Sequence, residues 1–211
     1  MNSKLEQAPP PHSADEELVA RCQAELPDHL DAYHELVRRY EGLVFGTCMK
    51  MLGNVQEAEE VSQDVFLRVF HKIHQFEGRS AFKTWLFRIV YNFCLSRRKV
   101  LATRRERMES VGEEFTAEAE INNPLPTDAL GAKGPSELVR ETLGELRPEE
   151  QQIIVLRFIS DLSLEQMSEV LDIGLSATKM RLYRAMEQFK TAYTTLAKSK
   201  GIKPSRGDNP S

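Results

Sequence analysis

Between residues 76 and 98, six aromatic side chains (Phe76, Phe82, Trp85, Phe87, Tyr91 and Phe93) are interleaved with the cations Arg79, Lys83, Arg88, Arg97 and Arg98. Such a mixture suits a single nucleic-acid strand, with rings stacking on bases and cations following the backbone. Most of these rings are also needed as core. A second constellation lies further along. At 100° per residue Thr178, Leu182, Ala185 and Phe189 share one narrow stripe that must pack inward. Met180, Tyr183, Arg184 and Glu187 then point outward, with Lys179 and Arg181 on the flanks. A basic outer face bearing an aromatic fits phosphates and base edges in a major groove, although a plain solvated face has the same look. A third pattern is QEAEEVSQDVFLRVF, residues 56–70. There Ala58, Val61, Val65 and Val69 form an apolar side, while Glu57, Glu60, Gln63 and Asp64 gather opposite. That acidic face is either solvated or a docking surface for a basic partner.

Other chemistries find less support. Cys22, Cys48 and Cys94 are far apart and odd in number, without CxxC or Cys/His ligand spacing, so they read as reduced, partly buried thiols. His71 and His74 are three apart on an expected helix, but no third ligand lies nearby in sequence, so no metal is expected. No carboxylate pair, nucleophile–base set or phosphate-binding glycine loop appears. No catalytic residue and no cofactor are therefore expected.

The elements that position these residues can be read from patterning. The 211 residues carry 28 Lys/Arg against 32 Asp/Glu, a net charge of −4 that, taken as an average, argues against nucleic acid. The average conceals segregation: residues 79–107 hold nine Lys/Arg and Glu106 alone, whereas residues 109–120 hold five Glu and no base. A basic surface with acid stored elsewhere fits a protein that meets DNA in company. No apolar run approaches the ~18 residues of a membrane span, and the N-terminus lacks a signal-like apolar stretch. A cytoplasmic protein without membrane insertion is expected.

Apolar residues recur at helical spacing from Leu18 to about Leu101, with no strand-like alternation. From about Ala102 to Pro135 the periodicity gives way to an acidic, Pro/Gly-interrupted stretch that reads as a flexible linker. Helical pattern returns from Ser136 to about Leu196. The expectation is all-α: two small helical domains, 18–101 and 136–196, on a flexible linker 102–135, with a disordered tail 1–17 and a tail 197–211. In the second domain Ser136 can cap one helix, and Pro148 with Glu149 and Glu150 opens another. Ser163 and Gln166 form a capping-box pair. Asp172-Ile173-Gly174 makes a short turn, with Ser176 placed to cap the last helix. This is a helix-turn-helix layout.

Five stretches together resemble the sigma-70 family of transcription initiation factors, in its small extracytoplasmic-function (ECF) branch. They are LVRRYEGLVFGTCMKMLGN, AEEVSQDVFLRVF, FEGRSAFKTWLFRIVYNFCLSRR, LRPEEQQIIVLRF and LSLEQMSEVLDIGLSATKMRLYRAMEQF, in that order. The resemblance implies a region 2 helical bundle and a region 4 helix-turn-helix, with core RNA polymerase, promoter DNA and an anti-sigma factor as partners. It implies that Glu57, Glu60, Gln63 and Asp64 dock on core polymerase. It implies a −10 element site made of the loop His74, Phe76, Glu77, Gly78, Arg79 and Ser80, with Phe82, Lys83, Trp85, Arg97 and Arg98. It implies −35 contacts from Ser176, Lys179, Met180, Arg181, Tyr183 and Arg184. The chain departs from many relatives in starting its last helix with Ser176-Ala177-Thr178, which sets a hydroxyl on the inward stripe, and in having Leu86 beside Trp85. From the residues alone, a stand-alone helix-turn-helix regulator and an enzyme using His71 and His74 are the rival readings.

Overall fold

The computed structural model describes residues 14–111 and 135–201. All regular structure among them is helical: α1 Ala14–Glu25, α2 Asp31–Leu52, α3 Val55–Lys72, α4 Phe82–Val111, α5 Pro135–Gly144, α6 Pro148–Phe158, α7 Leu164–Leu171 and α8 Leu175–Ser199. A short 3-10 turn, Ile73–Gln75, follows α3. The expected all-α class, with a bundle followed by a helix-turn-helix, is what the chain adopts.

The bundle α1–α4 forms because each helix has one apolar stripe to bury. Leu36, Tyr40 and Val44 of α2 meet Ala58, Val61, Val65 and Val69 of α3 and Phe82, Leu86, Phe87, Val90 and Cys94 of α4 in one core. The breaks between helices are local backbone chemistry. Gly53 takes the left-handed conformation (φ 75°) at the end of α2, and its N–H donates to the Met49 carbonyl at 2.9 Å. That position favours glycine, which has no Cβ to clash. The Asn54 side chain then accepts the Glu57 N–H at 3.0 Å and caps α3.

The ends of several elements differ from expectation. Residues 14–17 open α1 instead of belonging to a tail, because Asp15 is held by Arg39 at 2.6 Å and by the Tyr40 hydroxyl. The first long segment does not stop at Leu101: α4 continues to Val111. Charged residues that break an apolar period do not break a helix, since Arg and Glu propagate it well. At the other end α8 runs to Ser199, three residues beyond Leu196. Helix α5 begins at Pro135, so Ser136 lies inside its first turn and not at the cap. Most of the expected linker, residues 112–134, and most of the expected tails lie outside the described residues.

The larger difference concerns the two halves. They pack on one another, with α2 and α4 facing α6 and α7. Apolar residues of both halves join a single cluster that includes Val44, Cys48 and Phe87 on one side and Leu156, Leu162 and Met167 on the other. Gly46 faces Ile159 at this junction, where a Cβ would stand 3.9 Å from the Ile159 side chain, an ordinary van der Waals contact. At the centre the fully buried hydroxyls of Thr47 and Ser160 bond each other at 2.9 Å. Around them the Tyr91 hydroxyl donates to Gln152 Oε1 at 3.1 Å, Arg98 to Gln151 Oε1 at 3.4 Å, and Lys83 Nζ to the Asp161 carbonyl at 2.8 Å.

Loss of the cap that starts α3 is a direct measure of how far local chemistry supports the bundle. Asn54→Ala is expected to cost about 1 kcal/mol in urea unfolding, while Asn54→Asp should be nearly neutral.

Candidate nucleic-acid interface and docking face

The loop His74–Ser80 projects between α3 and α4. Gly78 has φ 70°, the left-handed region, so the loop reverses where glycine alone is unstrained. His74, Glu77 and Arg79 are exposed, and Arg79 pairs with Glu77 at 2.6 Å. Beneath them lies an aromatic platform. The Phe76 ring stands 5.7 Å from Phe82 and 5.5 Å from Trp85, and Tyr40 lies 5.6 Å from Phe82. Phe82 is buried, whereas Phe76 and Trp85 are half-buried. The loop thus rests on rings partly available to a base, with Phe82 as their support.

One residue that positions this loop escaped the sequence reading. Gln23 of α1 donates from Nε2 to both the Ile73 and the Phe76 carbonyls, each at 2.8 Å. A single amide group therefore ties the 3-10 turn to the bundle where the loop begins. Nothing in the spacing marks it, because the partners lie 50 and 53 residues away.

On α3 the apolar side read from the sequence is the buried one, and Glu57, Glu60, Gln63 and Asp64 line the other. Arg97 reaches across from α4 to this acidic face: Nη1 is 3.0 Å from Glu57 Oε2 and 3.1 Å from Glu60 Oε2, and Nη2 is 4.0 Å from Asp64 Oδ2. Arg97 is therefore engaged by carboxylates, and Arg98 and Lys83 by the second half. Lys99 and Arg104 face outward with Val100 and Thr103 around a shallow basic depression at the far end of α4.

In the helix-turn-helix, Ser163 and Gln166 form the capping box as read, with the Gln166 N–H donating to Ser163 Oγ at 3.2 Å and the Ser163 N–H to Gln166 Oε1 at 2.8 Å. The turn falls at Asp172–Gly174 as read, and only its cap differs. Asp172 takes the left-handed conformation (φ 54°), and the Ile173 N–H closes onto the Ser168 carbonyl at 3.1 Å. Gly174 is the extended residue at the N-cap of α8, so Ser176 is exposed in the first turn and caps nothing. Thr178 is buried, and its hydroxyl donates to the Gly174 carbonyl at 3.1 Å, so the polar atom on the inward stripe is satisfied.

The outward face of α8 stands as the helical wheel has it. Lys179, Met180, Tyr183 and Arg184 are exposed, Tyr183 to 63%, and Arg181 is half-buried. A concavity joins Met180, Arg181 and Arg184 to Arg147 and Glu149 at the start of α6. Arg147 was missed as a contributor. Its guanidinium holds Glu150 at 3.0 Å, and this hydrogen bond is the main reason the Glu150 carboxyl titrates below its usual range. Tyr91, at the junction of the halves, is pushed above the ordinary phenol range chiefly by burial.

Known proteins share this arrangement. Sigma-70 region 2 matches residues 36–104, and Sigma-70, region 4 matches residues 136–189. The ECF RNA polymerase sigma factor SigW of Bacillus subtilis is 32% identical over 164 residues, covering 76% of this chain and 88% of that protein. The RNA polymerase sigma-H factor of Pseudomonas aeruginosa is 27% identical over 187 residues, covering 86% and 95%. Among solved structures, CnrH in complex with the cytosolic domain of CnrY superposes with a TM-score of 0.62 at 20% identity, over 87% of this chain and 99% of that one. The sigma factor RpoE in complex with the anti-sigma factor NepR from Bartonella quintana gives 0.59 at 21% identity, over 79% and 98%. The chain belongs to the sigma-70 family of RNA polymerase sigma factors, within its ECF branch.

Removing the Gln23 amide should loosen the loop selectively. Gln23→Ala is expected to cost about 1–2 kcal/mol, the net value of two hydrogen bonds. Hydrogen exchange at residues 73–80 should rise while that of α3 and α8 stays as in the parent chain.

Proposed function

We propose that this chain binds core RNA polymerase and directs it to promoters, reading a −35 element as duplex with α8 and capturing a −10 element as single strand with the His74–Ser80 loop. The observation that carries this reading is the outward face of α8. Tyr183 and Arg184 stand free of the core on a helix whose start is set by a helix-turn-helix turn. Side chains so presented reach base edges, and the flanking Lys179 and Arg181 reach phosphates. The platform of Phe76 and Trp85 supports the second contact, since stacking on a ring needs an exposed face and little else. Glu57, Glu60, Gln63 and Asp64 supply the docking face toward a basic polymerase surface. Catalysis stays with the polymerase, so the chain is not itself an enzyme and needs no cofactor, and it works in the cytoplasm beside the polymerase.

Each half alone would bind weakly, and engagement of two elements together gives the joint complex its affinity. Reading two separate elements requires the halves to part. Lys83 and Arg98, both assigned to the −10 site, are occupied by Asp161 and Gln151 in the packed arrangement. An anti-sigma factor holds the chain inactive in this reading; the fold neighbours CnrH and RpoE are each seen with a bound partner.

Run-off transcription with core enzyme on a random promoter pool tests the whole proposal: promoter selection is expected with core, and tight sequence-specific binding by the chain alone would instead indicate a stand-alone regulator. Arg184→Ala should weaken −35 dependence by about 1–3 kcal/mol, with a smaller loss on a scrambled −35 sequence. The parting of the halves is open to a direct test. Cys22, Cys48 and Cys94 are all buried, so a Lys83→Cys/Asp161→Cys chain can be bridged selectively with a short bis-maleimide. The bridged form is expected to lose promoter-specific transcription relative to the same double variant left unbridged. Equal activity of the two forms would mean that initiation proceeds with the halves together.

A further inference from the structure

We propose that Arg97 is a positioning residue of the polymerase-docking face and not a DNA-phosphate contact. The inference rests on the reading that the acidic face of α3 docks on polymerase, and it reassigns one residue that the family pattern puts with the −10 site. Arg97, Arg98 and Lys99 are consecutive, so on a helix they point about 100° apart and cannot share one partner. Arg98 turns to Gln151 of the second half, and Lys99 is exposed. Arg97 turns to α3 and sits between Glu57, Glu60 and Asp64.

Burial decides what Arg97 is free to do. Its side chain is 26% exposed and that of Glu57 only 16%. Glu57 Oε2 is buried and lacks a well-aligned hydrogen bond, so the guanidinium 3.0 Å away is the positive charge that answers it. Turning Arg97 toward a phosphate would strand that carboxylate, the costly way to break a buried pair. The outer two carboxylates are different. Glu60 and Asp64 are 46% and 50% exposed, so they keep lone pairs toward solvent while Arg97 holds their inner sides. Gln56 Nε2 steadies the other oxygen of Glu60 at 3.3 Å.

Three carboxylates against one guanidinium leave the cluster with two negative charges in excess. The face therefore still attracts cations with Arg97 in place. What Arg97 changes is geometry: carboxylates three and four residues apart on one helix face repel and would splay, and a planar fork with five donors keeps them aligned. The guanidinium is thus an organiser of the face and not a competitor for it. Removal should weaken polymerase binding, the opposite sign from relief of an internal blockade.

The test uses the full-length chain, bacterial core polymerase and promoter DNA, with two readouts: affinity for core by fluorescence titration, and the salt dependence of promoter binding by holoenzyme preassembled at saturating core. Arg97→Ala is expected to lower core affinity about tenfold, with Arg97→Lys in between, and neither should change the salt slope. Lys99→Ala should show the reverse pattern. Core affinity within twofold of the parent chain for Arg97→Ala, with a salt slope reduced by about 0.9, the signature of one lost phosphate contact, would overturn the proposal. Should Arg97→Ala fail to fold, Arg97→Lys decides alone: an unchanged core affinity overturns the proposal, and a several-fold loss at constant salt slope supports it. Charge reversal at Glu60 and Asp64 separates the two layers of inference. If reversal leaves core affinity intact, the docking face itself is misassigned and the proposal falls with it; if reversal abolishes binding while Arg97→Ala does not, only the role of Arg97 falls.

Discussion

Burial of one stripe of α4 is the constraint on which the rest of the structure depends. Phe82, Leu86, Phe87, Val90 and Cys94 fall on one side of the helix and are all essentially inaccessible. Fully burying one large apolar side chain is worth about 1.5–3 kcal/mol, so the stripe sets the rotation of the helix. Every other face of α4 is then assigned by default. Trp85 is turned to the loop, Arg97 to the acids of α3, Tyr91, Arg98 and Lys83 to the second half, and Lys99 outward. A single helix thus carries ring stacking, charge pairing and the junction between halves, and their relative orientation follows from one packing decision.

Much of this was legible in the amino-acid order, and the legible parts share a cause. The buried sides of α3 and α8 came out correctly because a 3.6-residue period is an intrahelical property. The Ser163–Gln166 box was readable because its partners are three residues apart. The errors are just as specific. Ser176 looked like a cap because it is a serine near a helix start, but Asp172 absorbs the left-handed turn and moves the cap to Gly174. Charged residues beyond Leu101 looked like the end of a helix because they end an apolar pattern, whereas backbone hydrogen bonding carries α4 ten residues further.

The contacts between elements were the least visible. Gln23, Thr47, Gln152 and Ser160 are ordinary surface types, and their roles appear only when residues 50 to 113 positions apart are brought together. The fate of Arg97 is similar. A run of three cations reads as one basic patch along the chain, but helical rotation divides it among a carboxylate cluster, an amide and solvent. Charge segregation by segment was therefore a poor guide to which individual cations remain available.

The hydroxyl pair of Thr47 and Ser160 bears on how easily the halves can be parted. An interface sealed only by aliphatic side chains would leave a greasy scar on each face when opened and would tend to capture whatever came next. Here the central contacts are hydroxyls, an amide, a phenol and an ammonium group. Water replaces such partners at little net cost, typically within about 1 kcal/mol per bond. The polar centre thus fixes the register in which the halves meet without cementing them. The grip comes from Ile159, Leu162 and Met167 and the apolar residues around them. A junction of this composition behaves as a latch: specific when shut, and wettable when open.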